Sequence, residues 1–219
     1  MRWDFVLEIM PLLGKASILT LELTIIGIII GIILGLIASL SRISNFKPLS
    51  ILSKAYVDFF RGTPLLVQIM IIHYIVLPSF GKPNAFVSGF FALGINSGAY
   101  VAEIFRAGIQ SIDRGQMEAA RSLGMTWTQA MRHIILPQAF KVSIPPLGNE
   151  FIALLKDSSL VSVVAVQELM GTGRLLVGRF LRVPETWFSV AIIYLILTST
   201  ISIIVNYSER RLQTSDSRK

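Results

Sequence analysis

Long runs of Ile, Leu, Val and Phe, separated by short polar stretches, set the rhythm of this chain. The first run covers about residues 16–40, ample for one bilayer crossing, which needs ~20 apolar residues. Gly27, Gly31 and Gly35 recur in it at every fourth position and make a small-residue face that another backbone can approach closely. That backbone belongs either to the same chain or to a second copy. A polar, basic connector follows, Ser41-Arg42-Ile43-Ser44-Asn45-Phe46-Lys47-Pro48. The next runs predict spans at about residues 55–77, 85–109, 143–166 and 187–206. Residues 78–84, with Gly81 and Pro83, read as a turn, and the polar stretch 167–185 reads as a connection. Residues 110–141 carry too much charge to cross a bilayer. Trp187 and Tyr207 flank the last run as an interfacial aromatic belt would. The pattern predicts an all-α integral membrane bundle of five transmembrane helices in one domain, residues 1–219.

Composition narrows the class further. Of 219 residues, 53% are hydrophobic and 15% charged, against about 25% charged in soluble domains. A cytosolic enzyme is therefore excluded, and the spans leave no length for a sizeable soluble domain. The net charge of +7 suits cytoplasmic loops better than a nucleic-acid surface. With the C-terminus inside, twelve cations fall on the inner side and six on the outer, which predicts N-out, C-in. Cysteine is absent, so disulfides, thiolate metal sites and cysteine nucleophiles are excluded. Asp4 and Glu8 precede the first long run, and no cleavable signal peptide is expected.

The segment at about 110–141 holds the most specific motif. Gly115-Gln116-Met117-Glu118-Ala119-Ala120-Arg121-Ser122-Leu123-Gly124 predicts a short helix closed by Gly124 at a left-handed position. A second helix opens with Thr126 and Gln129 as a capping box, and Pro137 is expected to stop or kink it. Two short helices at a bend make a knob projecting from the membrane.

Glu118-Ala119-Ala120, Gly124 and Leu136-Pro137 resemble the EAA loop of ABC importer permeases. Phe60-Arg61-Gly62-Thr63-Pro64-Leu65, Ala99-Tyr100-Val101-Ala102-Glu103-Ile104-Phe105-Arg106, Leu136-Pro137-Gln138-Ala139 and Leu155-Lys156-Asp157-Ser158-Ser159-Leu160 resemble the polar amino acid permeases in particular. The resemblance implies a type I importer transmembrane domain whose loop is a coupling helix seated in a groove of an ATP-binding subunit. Glu118, Ala119, Ala120, Gly124, Leu136 and Pro137 would form that contact. It also implies a dimer with itself or a close paralogue, two ATP-binding subunits, an extracytoplasmic amino-acid-binding protein, and a bacterial inner membrane location in contact with lipid. No G-x-x-x-x-G-K-[ST] phosphate loop occurs, so ATP and Mg are expected on the partner and no cofactor on this chain.

Charges and polar groups inside the spans are the candidates for the transport path, because each is costly in hydrocarbon. Asn96, Tyr100 and Glu103 share one helical face, with Ser97 close by. Glu103 either attracts a cationic substrate group or pairs with Arg106. Lys156-Asp157-Ser158-Ser159 interrupts an apolar run, and Asp157, Ser158 and Ser159 are residue types that cap a new helix. A helix broken at that depth would present N–H groups to a substrate carboxylate. Glu22 is either a path acid or an interfacial residue. His73 reads as a packed, hydrogen-bonded histidine, Asp58 and Arg61 as a local pair, and no metal site is expected. Glu103, Asp157 and Glu22 favour a cationic amino acid (arginine, lysine or histidine), with glutamine or glutamate as the alternative. A secondary transporter would show repeated halves, which are not found, and an intramembrane enzyme would need a nucleophile–base or metal constellation.

Overall fold

In the computed structural model the described residues are 2–44 and 46–216, with side chains described to residue 209. Asn45 of the basic connector and the side chains of the tail cations from Arg210 onward lie outside them. The described residues form nine α-helices and no strand. Helix α1 (Trp3–Ile43) is followed by α2 (Lys47–Gly62) and α3 (Leu65–Ile71), the last continuing as a π-turn and a 3₁₀ turn to Phe80. Then come α4 (Ala85–Gln110), α5 (Arg114–Ser122), α6 (Trp127–Ala130), α7 (Leu136–Asp157), α8 (Leu169–Phe180) and α9 (Val183–Asp216). Three helices, α1, α4 and α9, are long and apolar enough to cross a membrane. With each of two bent helix pairs counted as one crossing, the spans number five.

The sequence pattern misses where those two crossings bend. The predicted span 55–77 is no single rod: α2 and the Leu65–Phe80 segment meet at 108°. Pro64 forces the residue before it out of helical geometry, and Thr63 is extended, with φ −120° and ψ 147°. Gln68 repairs the break, donating from Nε2 to Phe60 O at 2.9 Å and to Thr63 O at 3.0 Å. Backbone carbonyls freed inside a membrane need such a partner.

The second bend corrects the reading of residues 110–185. Pro137 does not stop the helix. The i→i+5 turn Met131–Ile135 opens the backbone just ahead of it, and the chain runs on from Trp127 to Val164. Asp157, Ser158 and Ser159 open no new helix either: Asp157 ends α7, and Ser158 enters a 3₁₀ turn with its Oγ bonded to Leu155 O at 2.7 Å. The true break comes at Ala165 (φ +64°), after which the stretch predicted as a connection forms α8 at 49° to the preceding helix.

Helix α1 packs along α4 through small residues on both sides. A Cβ on Gly31 would stand 2.9 Å from Ser97 Cβ, and one on Gly94 would stand 2.7 Å from Ile30 Cβ. Lipid tails are as apolar as leucine, so close backbone contact rather than water exclusion holds such helices together. The glycine ladder is therefore used within the monomer. Leu23, Ile69, Leu93, Leu154 and Val161 bring α1, α3, α4, α7 and the 3₁₀ segment after α7 into one core. A second cluster, with Ile9, Leu13, Leu169 and Val190, ties the start of α1 to α8 and α9.

Candidate functional site

The α4 face carrying Asn96, Tyr100 and Glu103 looks toward the α2–α3 break and α7, and the fold gives each residue a different task. Asn96 is buried, donating to Phe60 O at 3.2 Å and to Gln68 Oε1 at 2.9 Å. It fastens the broken helix to α4. Ser97, fully buried, donates to Glu150 Oε1 at 2.8 Å. Tyr100 is half-exposed beneath Arg61, whose guanidinium lies 5.3 Å from its ring centre.

Glu103 is the most crowded charge. Arg106 donates to Oε2 at 2.6 Å, Arg42 pairs with Oε1, and Arg61 approaches Oε2 at 3.8 Å. Three guanidiniums from α1, α2 and α4 thus share one carboxylate, a cluster carrying a surplus of positive charge. Arg61 turns to Glu103 and Tyr100, so the local pair expected with Asp58 does not form.

Beside this cluster opens a cavity of about 450 Å³, bordered by Arg61, Tyr100, Glu103, Ser111, Pro146 and Glu150. It runs from Glu150 within α7 to Ser111 at the end of α4, where the charged segment begins. The candidates therefore separate. Tyr100 and Glu103 border the cavity, Asn96 and Ser97 support it from behind, and Asp157, Ser158 and Ser159 lie beyond it at the other end of α7. Glu22 is exposed on α1, on the face that carries Ile18, Ile25 and Ile29. His73 behaves as predicted, with Nδ1 2.7 Å from Ser88 Oγ. Among the described residues no group of three His, Asp or Glu side chains is placed to hold a metal.

Two acids escaped the sequence reading. Glu150 was visible only as an interruption of an apolar run. Glu168 is fully buried at the start of α8, accepting from Gly171 N at 2.7 Å, Met170 N at 3.0 Å and Tyr194 OH at 3.0 Å. Thr20 Oγ1 stands 3.4 Å away and also accepts from Leu169 N. The α8 N-terminus is thus filled by the protein's own carboxylate. Its signal in the sequence is a lone acid just ahead of Gly171 and Gly173.

The charged segment forms the expected knob. Helix α5 is capped by Asp113, whose carboxylate accepts from Gly115 N, and the chain turns away from it at Gly124 with φ +82°, a conformation glycine adopts without strain. The capping box between Thr126 and Gln129 is complete. Glu118 and Ala119 face outward, whereas Ala120 is buried under α5. Leu123 is 85% exposed and Trp127 47% exposed, so the tip of the knob is apolar.

Residues 9–214 match the family described as binding-protein-dependent transport system inner membrane component. The chain belongs to this family. It is 48% identical to the probable glutamine ABC transporter permease protein GlnM of Bacillus subtilis (strain 168), over 90% of this chain and 91% of that one. It is 42% identical to the L-cystine transport system permease protein TcyB of the same organism, over 96% and 91%. A crystal structure of an amino acid ABC transporter with histidines superposes with a TM-score of 0.92 at 42% identity, covering 96% of this chain and 99% of that one. The chain is accordingly a permease subunit of an ABC amino acid importer with the type I fold, and not itself an enzyme. A permease of this family implies an ATPase partner and a binding protein.

Proposed function

We propose that this permease, paired with a second copy or a close paralogue, carries a polar amino acid with a neutral side chain, glutamine being the reference substrate. The observation that carries this reading is the cavity whose border includes both Arg61 and Glu150. A guanidinium suits an α-carboxylate and a carboxylate suits an α-ammonium, so one zwitterion satisfies both. The acids that favour a cationic substrate do not converge. Glu103 is held by three arginines, Asp157 is outside the cavity, and Glu22 is on the outer face of α1. The 48% identity to a probable glutamine permease points the same way. A cationic substrate stays as the second reading because the similar solved transporter was crystallised with histidines.

Uptake of labelled glutamine into proteoliposomes holding the whole complex and its binding protein is the test. Unlabelled glutamine is expected to compete at least tenfold better than arginine, and equal competition would overturn the neutral preference. Glu150→Gln is expected to lower glutamine uptake while leaving the complex assembled.

The knob is the coupling element in this reading. Outward-facing Glu118 and Ala119, the turn at Gly124 and the apolar tip at Leu123 meet the ATP-binding subunit, with Leu136 and Pro137 setting the base of the knob. ATP and Mg reside on that subunit. The segment and the C-terminus face the cytoplasm, the N-terminus faces outward, and closure of the ATPases moves the knob as a rigid body. Glu118→Arg and Leu123→Asp touch no packed contact of the fold. Each is expected to cut uptake at least tenfold with normal permease levels in the membrane. Unchanged uptake in both would remove the coupling role.

A further inference from the structure

A second cavity, of about 480 Å³, lies between α1 and α8, at the end of the molecule away from the knob. Leu12, Leu19 and Leu175 wall it, Lys15 and Arg179 stand on its border, and Thr172 supplies a hydroxyl. Among the described residues neither cation forms an ion pair with a carboxylate; the arginine cluster on Glu103 involves Arg42, Arg61 and Arg106 instead. Glu8 and Glu22, seven positions either side of Lys15, are ~10 Å away along the helix, too far for direct pairing. Arg179 is held by its own neighbour, 5.2 Å above the Phe180 ring.

Depth tells what covers this cavity. The outward stripe of α1, from Ile18 through Ile25, Ile29, Ile33 and Ile37 to Leu40, is about half-exposed or more and rises ~33 Å. That matches the ~30 Å hydrocarbon layer of a bilayer. Exposed Glu22 is the one charge in the stripe, one turn inside Ile18 and within snorkelling reach of the headgroups. Lys15 stands one turn beyond the stripe, ~40 Å along α1 from Arg42, and so at the headgroup layer of the leaflet opposite the knob. Cations at headgroup depth beside Leu19, from which α1 continues into the outward apolar stripe, fit a molecule with an anionic head and an acyl chain.

We propose that Lys15 and Arg179 bind the phosphate of an anionic phospholipid, one acyl chain of which lies against Leu19 and Leu175. A zwitterionic lipid offers the same phosphate, but its ammonium group would meet the same two cations, so the anionic class is preferred. The lipid then bridges α1 and α8, adding to their apolar cluster and to the Thr20 contacts with Glu168 and Leu169 N.

The test is native mass spectrometry of the permease–ATPase complex taken from nanodiscs of mixed phosphatidylglycerol and phosphatidylcholine. Wild type is expected to retain phosphatidylglycerol in preference to phosphatidylcholine, and equal retention of the two overturns the proposal. Lys15→Gln with Arg179→Gln is expected to lower phosphatidylglycerol retention roughly tenfold or more, through loss of both cation–phosphate contacts. Lys15→Arg with Arg179→Lys is expected to keep it. A neutralised variant that holds the lipid as wild type does but loses ATPase stimulation by the binding protein would make this a protein-docking surface and overturn the lipid site.

Discussion

Gly35→Leu is expected to prevent the permease from accumulating as a folded membrane protein. A Cβ there would stand 2.5 Å from Val101 Cγ1 and 2.9 Å from Ala102 N. Val101 is fully buried and the second obstacle is backbone, so neither can swing aside. Helices α1 and α4 would have to part along the seam that also holds Gly31, Gly94 and Gly98. Overpacking a tight core costs ~1–3 kcal/mol even where neighbours can shift, and here the larger figure or more applies. Gly14→Leu and Gly178→Leu are the controls, since nothing lies within 4 Å of a Cβ at either position. Detergent-extracted protein followed by size-exclusion and thermal aggregation reads the difference. A Gly35→Leu permease as stable as the Gly14→Leu control would refute the seam as the main helix–helix contact.

Glu168→Leu is expected to be nearly as damaging, for an opposite reason. The substitution removes atoms rather than adding a clash, and it takes the acceptor away from buried Gly171 N and from the part-buried Met170 N and Tyr194 hydroxyl. A buried polar group left without its partner costs ~1–3 kcal/mol, a cost that applies in full to Gly171 N and in part to the other two. Glu168→Gln keeps one carbonyl acceptor and most of the shape, so it is expected to recover much of the loss. Thermal stability of the purified permease in the order wild type, Gln, Leu is the predicted result. Equal stability of the Gln and Leu variants would mean that shape alone matters at this position.

The sequence by itself determined the class of molecule, and for a simple reason. Hydrocarbon admits only helices whose backbone bonds are satisfied internally, so apolar length translates directly into helical spans. The knob was equally legible because caps and left-handed turns are local: Gly124 and the Thr126–Gln129 box were read from residue types three or four apart. Glycines at every fourth position announced a close approach, although the periodicity left the approaching helix unnamed.

Only the tertiary structure decided which polar groups share a site. Helical spacing put Asn96, Tyr100 and Glu103 on one face, yet Arg42 and Arg61 come from helices distant in sequence and claim Glu103, while Gln68 claims Asn96. Asp157 read as the start of a helix, because Asp and Ser cap helices wherever they end a backbone ladder. The real start was 11 residues later at Glu168, fixed by contacts from Thr20 and Tyr194 that no local pattern contains. Pro137 told that the chain is perturbed there, but not how, and Pro64 passed unread inside the predicted span 55–77. Pro64 became a 108° bend and Pro137 a π-turn in a continuing helix. Whether freed carbonyls find a side chain such as Gln68 or a widened turn depends on what packs alongside, and packing is a property of the whole fold.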